Sequence, residues 1–466
     1  MHLRLYRLAS RLTHRLPLGR GKLAHSVRGR QSAVGRWLAW AGEQRPDGPL
    51  VWVHAASVGE ALAVQPVVER LRRARPDVRL VRSYSSPSAA EWPAPFEAEH
   101  DDYVPLDEPG AVARVLDAVR PSMMLFSRGD LWPELVLGAG SRGIPVAVAG
   151  AMVRPHSPRM NALLYPLYAE VHAAVSWLGA VTREDAARWR RLGVPEERVS
   201  VTGDPRHDQV LERVPQLGSM GALSEWSTHG EVLVAGSTEQ EDVPVLLEAA
   251  ARALAAHEDA RLLIVPHSPT DKVVSHLVSR ARRLGLTPTV WHGASDVVPP
   301  EARMVVVAAS GLLVDLYALG AAAHVGGGFR RGRLHAVVEP AAYALPMTFG
   351  PHWQASSDAA AAIEAGGALA LPRRDAPRAL EGQWLRWLDG PDARLDAGVA
   401  ARGTLHQGAA SETARKLLGL LPAAAAAPSP ERPSEGLHLH HGEETPAAGP
   451  PSERRPSRAS EGDRSG

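Results

Sequence analysis

The sequence predicts an α/β protein made of two consecutive doubly wound units, Rossmann-like domains that face each other across a cleft. Three observations predict it. Apolar β-like runs alternate with helical stretches from about residue 48 to 203, the same rhythm restarts at 231, and a hinge near Arg206 to Ser224 separates the two sets. Such alternation implies largely parallel sheets covered by helices on both faces, with ligands bound beyond the carboxyl ends of the strands.

At 466 residues the chain is too long for one ordinary core. It divides into a basic N-terminal segment (1–44), a first domain (45–210), a second domain with closing helices (211–421) and a tail (422–466). A formal net charge of +1 gives no global case for a nucleic-acid partner. The absence of cysteine excludes disulfides and thiolate metal sites. No apolar run reaches the roughly 18 residues needed to cross a bilayer.

Taken in order, the first forty residues carry nine Arg and Lys, from Arg4 to Arg36, and no acid before Glu43. Leu5, Leu8, Leu12 and Leu16 recur at helical spacing beside Arg4, Arg7, Arg11 and Arg15. That pattern fits a helix lying on anionic lipid, and equally a basic helix packed on its own protein. No uninterrupted apolar core and small-residue cleavage site mark it as a secretory signal.

The first domain opens with LVWVHAA, followed by VRLVRSYSS, YVPL, MMLFS, IPVAVAGAM, AAVSWLGAVT and RVSVTGD as strands. After LVWVHAA, Ser57-Val58-Gly59 form a turn, and Leu62, Val64, Val67, Val68 and Leu71 are the apolar positions of a helix. Glu60 therefore stands at a helix start on the carboxyl edge of the sheet. A carboxylate there either interacts with the helix dipole or serves a reaction at the rim. His54 and Ser57 suggest a Ser-His pair, but no GxSxG elbow surrounds Ser57.

The second domain begins with EVLVAGS and continues through ARLLIVPHSP, PTVWHG, ARMVVVAAS, AAAHVGGG and LPMTFGP. In AGSTEQED a strand runs into Ser237 and Thr238, whose hydroxyls either help bind an anion or cap a helix. Gly326, Gly327 and Gly328 let backbone approach closely, Arg330, Arg331 and Arg333 add positive charge, and Glu339 opens a helix where it can accept both hydroxyls of a ribose. Residues 384–421 read as closing helices. The Ala, Pro, Ser, Glu and Arg composition of the tail predicts disorder, and nothing preorganises its HLHHGEE stretch as a metal site.

Seven segments in order resemble the 3-deoxy-D-manno-octulosonic acid (Kdo) transferases: HAASVGE (54–60), YVPLDEPGAV (103–112), DLWPEL (130–135), TGDPRHD (202–208), AGST (235–238), EPAAYALP (339–346) and FGPH (349–352). The resemblance implies a GT-B fold, with an acceptor domain first and a CMP-sugar-binding domain second. It implies an inverting transfer of Kdo from CMP-Kdo to the 6'-hydroxyl of a lipid A precursor at the cytoplasmic face of the inner membrane, in lipopolysaccharide assembly and without metal. Glu60 is then the catalytic base, and the donor falls to Ser237, Thr238, Arg206, Gly326, Gly327, Gly328 and Glu339. Ser57, Arg128 and Asp130 are candidates for acceptor or transition-state contacts.

Several motifs depart from the family. Where it carries Glu-Thr-Glu before Leu-Trp-Pro, this chain has Arg128-Gly129-Asp130, and an Arg cannot act as a carboxylate. Its Arg-His-Pro is His267-Ser268-Pro269 here, and its Gly-Gly-His-Asn is Arg333-Leu334-His335-Ala336. These departures leave two other readings: a GT-B transferase with a different nucleotide sugar or acceptor, and an inactive lipid-binding relative.

Overall fold

The computed structural model describes residues 2–13, 19, 21–153, 157–161, 165–214, 221–293 and 296–423. Two seven-stranded sheets, each entirely parallel, organise this part of the chain. The first contains β1 (Leu50–His54), β2 (Arg79–Tyr84), β3 (His100–Tyr103), β4 (Met123–Ser127), β5 (Val146–Ala151), β6 (Trp177–Ala180) and β7 (Val199–Val201), in the order β3-β2-β1-β4-β5-β6-β7. The second contains β8 (Glu231–Thr238), β9 (Ala260–Pro266), β10 (Pro288–Trp291), β11 (Met304–Val307), β12 (Ala322–Val325), β13 (Met347–Phe349) and β14 (Ala368–Ala370), in the order β10-β11-β9-β8-β12-β13-β14. Each order turns at the lobe's first strand, and at the edge of the second sheet β11 lies inside β10. The reversal lies between β1 and β4 in the first sheet and between β8 and β12 in the second, and such switch points open a crevice for ligands.

The central strands are apolar runs rather than alternating ones because helices cover both of their faces. Every residue of β1, β4, β5 and β9 is buried. On one face of the first sheet Trp52 stacks on Trp37 with ring centroids 4.4 Å apart. Trp37 belongs to the helix Lys22–Glu43, and its indole N–H donates to the Tyr103 carbonyl at 2.9 Å. The second half of the basic segment thus packs on its own protein and is partly core.

Three expectations differ from the structure. The YVPL strand lies earlier, as His100–Tyr103, because Pro105 has no N–H to continue a ladder. β14 has no counterpart in the sequence reading, since ALA at a sheet edge carries neither β-branched residues nor strong alternation. Arg206, expected at the hinge, instead sits in the helix Pro205–Arg213, which Asp204 caps by accepting from the Arg206 N–H at 3.0 Å.

The end of the second domain also differs from expectation. Helices Ala376–Asp389 and Pro391–Gly403 close the second sheet, but the final helix, Ala409–Leu418, returns to the first. Its Ala410 and Leu417 share a core with Val51, Val53, Val64 and Val67. Asp208, 1% exposed, holds its start by accepting from the amides of Gly408 at 2.8 Å and Ala410 at 2.9 Å. The chain therefore crosses between lobes twice, and the boundary expected at 421 falls before this helix.

Candidate active site

At the first switch point, β1 delivers His54 and then the turn leading to Glu60, while β4 delivers Arg128 and Asp130. Ser57 stands at the N-cap of the helix Val58–Ala74 without a capping hydrogen bond from its side chain. Glu60 Oε2 accepts from the Ala56 amide at 2.9 Å, and the Ser127 hydroxyl donates to the Glu60 carbonyl at 2.9 Å. Burial raises the Glu60 carboxyl above its ordinary range, against the Ala56 hydrogen bond; nearby Asp130 adds to the rise, while His54 and Arg128 oppose it. One carboxylate oxygen is fixed, and among the described residues Oε1 has no protein donor.

His54 is held from several sides. The Trp132 indole N–H points at Nε2 from 3.2 Å, and Ser83 Oγ lies 2.9 Å from Nδ1. An indole can only donate, so Nε2 accepts and the ring proton sits on Nδ1, directed at Ser83. Asp130 Oδ2, 3.4 Å from Nε2, forms an ion pair only when the ring takes a second proton. Burial pushes Asp130 up, but His54, Arg159 and Arg30 outweigh it and hold its carboxyl low. The site thus places a carboxylate with a raised pKa near one kept ionised.

The Arg128–Gly129 turn is tight. Arg128 has φ 66° and Gly129 φ 124°, and a Cβ on Gly129 would come within 2.7 Å of the Trp189 ring. The turn aims the Arg128 guanidinium at Asp204, with contacts of 3.1 and 3.3 Å. Arg206 binds the same carboxylate at 2.7 Å and reaches Asp358 at 2.6 Å. His207 Nε2 stands 3.3 Å from Asp358 and its Nδ1 accepts from the His406 amide at 3.2 Å, so Nε2 carries the proton. Burial raises Asp204, yet the flanking Arg206 and Arg128 hold its carboxyl far below the ordinary range.

Asp358 begins a helix of the second lobe, so this network joins the two lobes. Asp204, His207 and Asp358 bring possible metal ligands within 4.8 Å of one another, but two guanidiniums already neutralise the set. Beside the network opens a cleft of about 490 Å³, lined by Arg128, Met152, Arg188 and Arg206 from the first lobe and by His335 and Ser356 from the second.

At the second switch point, Ser237 takes φ 50° and the Thr238 hydroxyl is buried without a partner among the described residues. The glycines that follow β12 pack mainly against protein. A Cβ at Gly326 would collide with the Ser237 carbonyl, Gly326 N–H donates to Gly236 O at 2.9 Å, and Gly327 N–H donates to Asp242 Oδ2 at 2.8 Å. Two of the three amides expected to face a ligand are therefore occupied. Asp242 is fully buried and its carboxyl is pushed up to about 6 by desolvation. It locks the AGST loop to the glycine loop by also accepting from the Glu239 amide at 2.7 Å.

Around this lock, Glu239 accepts from Arg333 at 2.8 Å, while the His335 ring lies tilted against His267 with centroids 4.3 Å apart. A neighbouring pocket of about 480 Å³ carries Lys272, Arg280, Arg330 and Arg333. Glu339 has no side-chain hydrogen bond among the described residues, and burial raises its carboxyl to about 7 against the pull of Arg213 and Arg206. The structure thus brings Glu60, Arg128 and Asp130 together, puts Arg206 in the bridge between lobes, and places Ser237, Thr238, Gly326, Gly327, Gly328 and Glu339 on the second lobe's carboxyl edge.

Residues 29–209 match the family model of 3-deoxy-D-manno-octulosonic-acid transferase (kdotransferase). That stretch is a Kdo transferase domain, and several curated relatives of the chain are Kdo transferases. It is 29% identical to the 3-deoxy-D-manno-octulosonic acid transferase of Bordetella pertussis, over 85% of this chain and 98% of that one. Its identity to the Haemophilus influenzae enzyme of the same name is 25%, over 70% and 76% of the two chains. Among solved structures, S. aureus MnaA with UDP superposes with a TM-score of 0.57 at 14% identity, covering 80% of this chain and 98% of that one. A putative UDP-N-acetylglucosamine 2-epimerase from Listeria monocytogenes gives 0.58 at 13% identity, over 80% and 95%. These likenesses concern the fold, the two-lobed GT-B architecture of this chain. Asp204, Asp242 and Asp358 escaped the sequence reading as site residues, because a single Asp at a helix start looks the same whether it caps or bridges lobes.

Proposed function

We propose that this Kdo transferase moves Kdo from CMP-Kdo to the 6'-hydroxyl of a lipid A precursor with inversion, and that Glu60 is the base. The observation that carries the reading is the Glu60 carboxylate: it sits at the first switch point, with Oε2 fixed by Ala56 and Oε1 without a protein donor. Oε1 accepts the proton of the acceptor hydroxyl while that oxygen bonds to the anomeric carbon of Kdo. The bond from that carbon to the phosphate oxygen breaks on the opposite face, and CMP departs with the electron pair. A raised Glu60 pKa brings the base nearer the operating pH and so favours proton transfer.

The donor lies against the second lobe, where Arg330 and Arg333 attract its anionic groups, Ser237 and the Gly328 amide supply hydrogen-bond donors, and Glu339 takes the ribose hydroxyls. Arg206, held by two carboxylates, contributes positive potential from the bridge rather than a free fork. No metal enters this scheme.

The lipid acceptor places the protein at a membrane surface, in this reading the cytoplasmic face of the inner membrane. Among the described residues no helix is long and apolar enough to cross a membrane. Exposed Leu5, Leu8 and Leu23 with Arg4 and Lys22 fit peripheral attachment. Liposome flotation of the intact chain is the check: binding requires anionic lipid and weakens with salt, whereas equal binding to neutral vesicles contradicts the reading. The transfer itself is tested by incubating purified protein with CMP-Kdo and tetraacylated lipid A precursor. CMP binding without transfer shifts support to another acceptor, a reading that Arg128 in the cleft favours.

A further inference from the structure

The N-terminal helix His2–Thr13 has two faces with different work. At about 100° per residue, Leu3, Tyr6, Arg7 and Ser10 fall on one side, and Arg4, Leu5 and Leu8 on the other. The outer side is exposed, with Leu5 at 59% and Leu8 at 56%. The inner side is fastened to Asp107, between β3 and the helix Pro109–Val119, and to Glu134 in the helix Pro133–Gly140. Tyr6 OH donates to Asp107 Oδ2 at 2.5 Å, and Ser10 Oγ donates to the Asp107 carbonyl at 2.7 Å. Arg7 grips both oxygens of Glu134 at 2.8 and 3.1 Å.

Asp107, 3% exposed, in turn accepts from the amides of Glu134 and Leu135 at 2.9 and 3.1 Å, and so fixes the first turn of the helix Pro133–Gly140. That helix begins directly after Asp130, Leu131 and Trp132. Trp132 lies under the Arg30 guanidinium, 3.7 Å from ring centroid to Cζ, and its indole N–H meets His54. A continuous chain of contacts therefore leads from a surface helix to the rim where Glu60 stands. Surface attachment alone requires none of these inward contacts, because a bilayer anchor needs only the outer face.

We propose that Tyr6 and Arg7 are positioning residues that hold the segment 130–135, the loop after β4 and the helix start it feeds, in place, so that the helix which meets the membrane also sets the acceptor side of the site. The proposal rests on the reading of Glu60 and its surroundings as the catalytic rim. The two faces are tested separately with full-length protein. Tyr6→Phe combined with Arg7→Ala removes the inward bonds, and Leu5→Ser combined with Leu8→Ser removes the outward apolar contact.

In Tyr6→Phe/Arg7→Ala, amide hydrogen exchange of the segment 130–137 rises at least tenfold without lipid. Partitioning into vesicles with 30% anionic phospholipid changes less than twofold, and kcat for transfer falls about tenfold at unchanged KM for CMP-Kdo. Leu5→Ser/Leu8→Ser gives the opposite pattern, with weakened partitioning and unchanged exchange over 130–137. Unchanged exchange in the inward variant overturns the proposal, as does a loss of activity that tracks lost partitioning alone. If wild type performs no transfer, the catalytic reading fails by itself, and the exchange experiment still decides whether the helix holds the loop.

Discussion

Glu60 shows how little a local pattern decides about a single residue. As a helix-start carboxylate it fits a dipole interaction as well as it fits catalysis, and its burial, its fixed Oε2 and its neighbours His54 and Asp130 are products of tertiary structure. With a raised carboxyl pKa and the ionised form required as base, kcat/KM rises with pH through that pKa. A pH profile flat across the acidic limb contradicts Glu60 as base. Glu339 gives a stability prediction of definite sign. Below its ordinary value of 4.5 both folded and unfolded forms are protonated; between 4.5 and about 7 only the unfolded chain ionises, so stability falls as pH rises. Glu339→Gln removes that loss and gains at most about 3 kcal/mol at pH 8, with no gain near pH 4. Denaturant unfolding at the two pH values checks it, and an equal difference at both contradicts the buried carboxyl.

The elements were legible where apolar runs are long. β1, β4, β8 and β9 follow from LVWVH, MMLFS, EVLVAGS and ARLLIVP, each apolar because helices cover both faces of its sheet. The edge strand Ala368–Ala370 was not, because ALA carries neither β-branched residues nor alternation, and the return of the helix Ala409–Leu418 to the first sheet was not, because its partners are distant in sequence. That return depends on one side chain: Asp208 supplies both acceptors at the helix start. Asp208→Ala lowers unfolding stability by about 2 kcal/mol by leaving two amides without acceptors; a change under a few tenths, measured by thermal or denaturant unfolding, contradicts this role. At the glycine loop, Gly326→Ala cannot keep the backbone contact with Ser237, and it weakens CMP binding along with folding. Calorimetric titration with CMP reads the effect, and unaltered affinity argues against the loop as part of the donor site.

At the scale of the whole molecule, two doubly wound lobes were visible in the repeated βαβ rhythm, but their connection was not. The ionic chain through Arg128, Asp204, Arg206, Asp358 and His207 joins segments up to 230 residues apart in sequence, and spacing carries no signal of it. Arg206→Ala leaves the Asp204 and Asp358 carboxylates without their shared cation and lowers stability by about 3–5 kcal/mol. An unfolding midpoint like that of wild type contradicts the bridge. The network borders the cleft and ties up the Arg128 guanidinium on Asp204, where the family pattern has a carboxylate, so the base proposed here is Glu60. The most direct measurement is single-turnover transfer of Kdo from CMP-Kdo to tetraacylated lipid A precursor by wild type and Glu60→Gln. The predicted result is transfer by wild type, a rate lower by about a thousandfold in the variant, and CMP affinity unchanged within a factor of about two; a variant that transfers within tenfold of wild type contradicts Glu60 as the base.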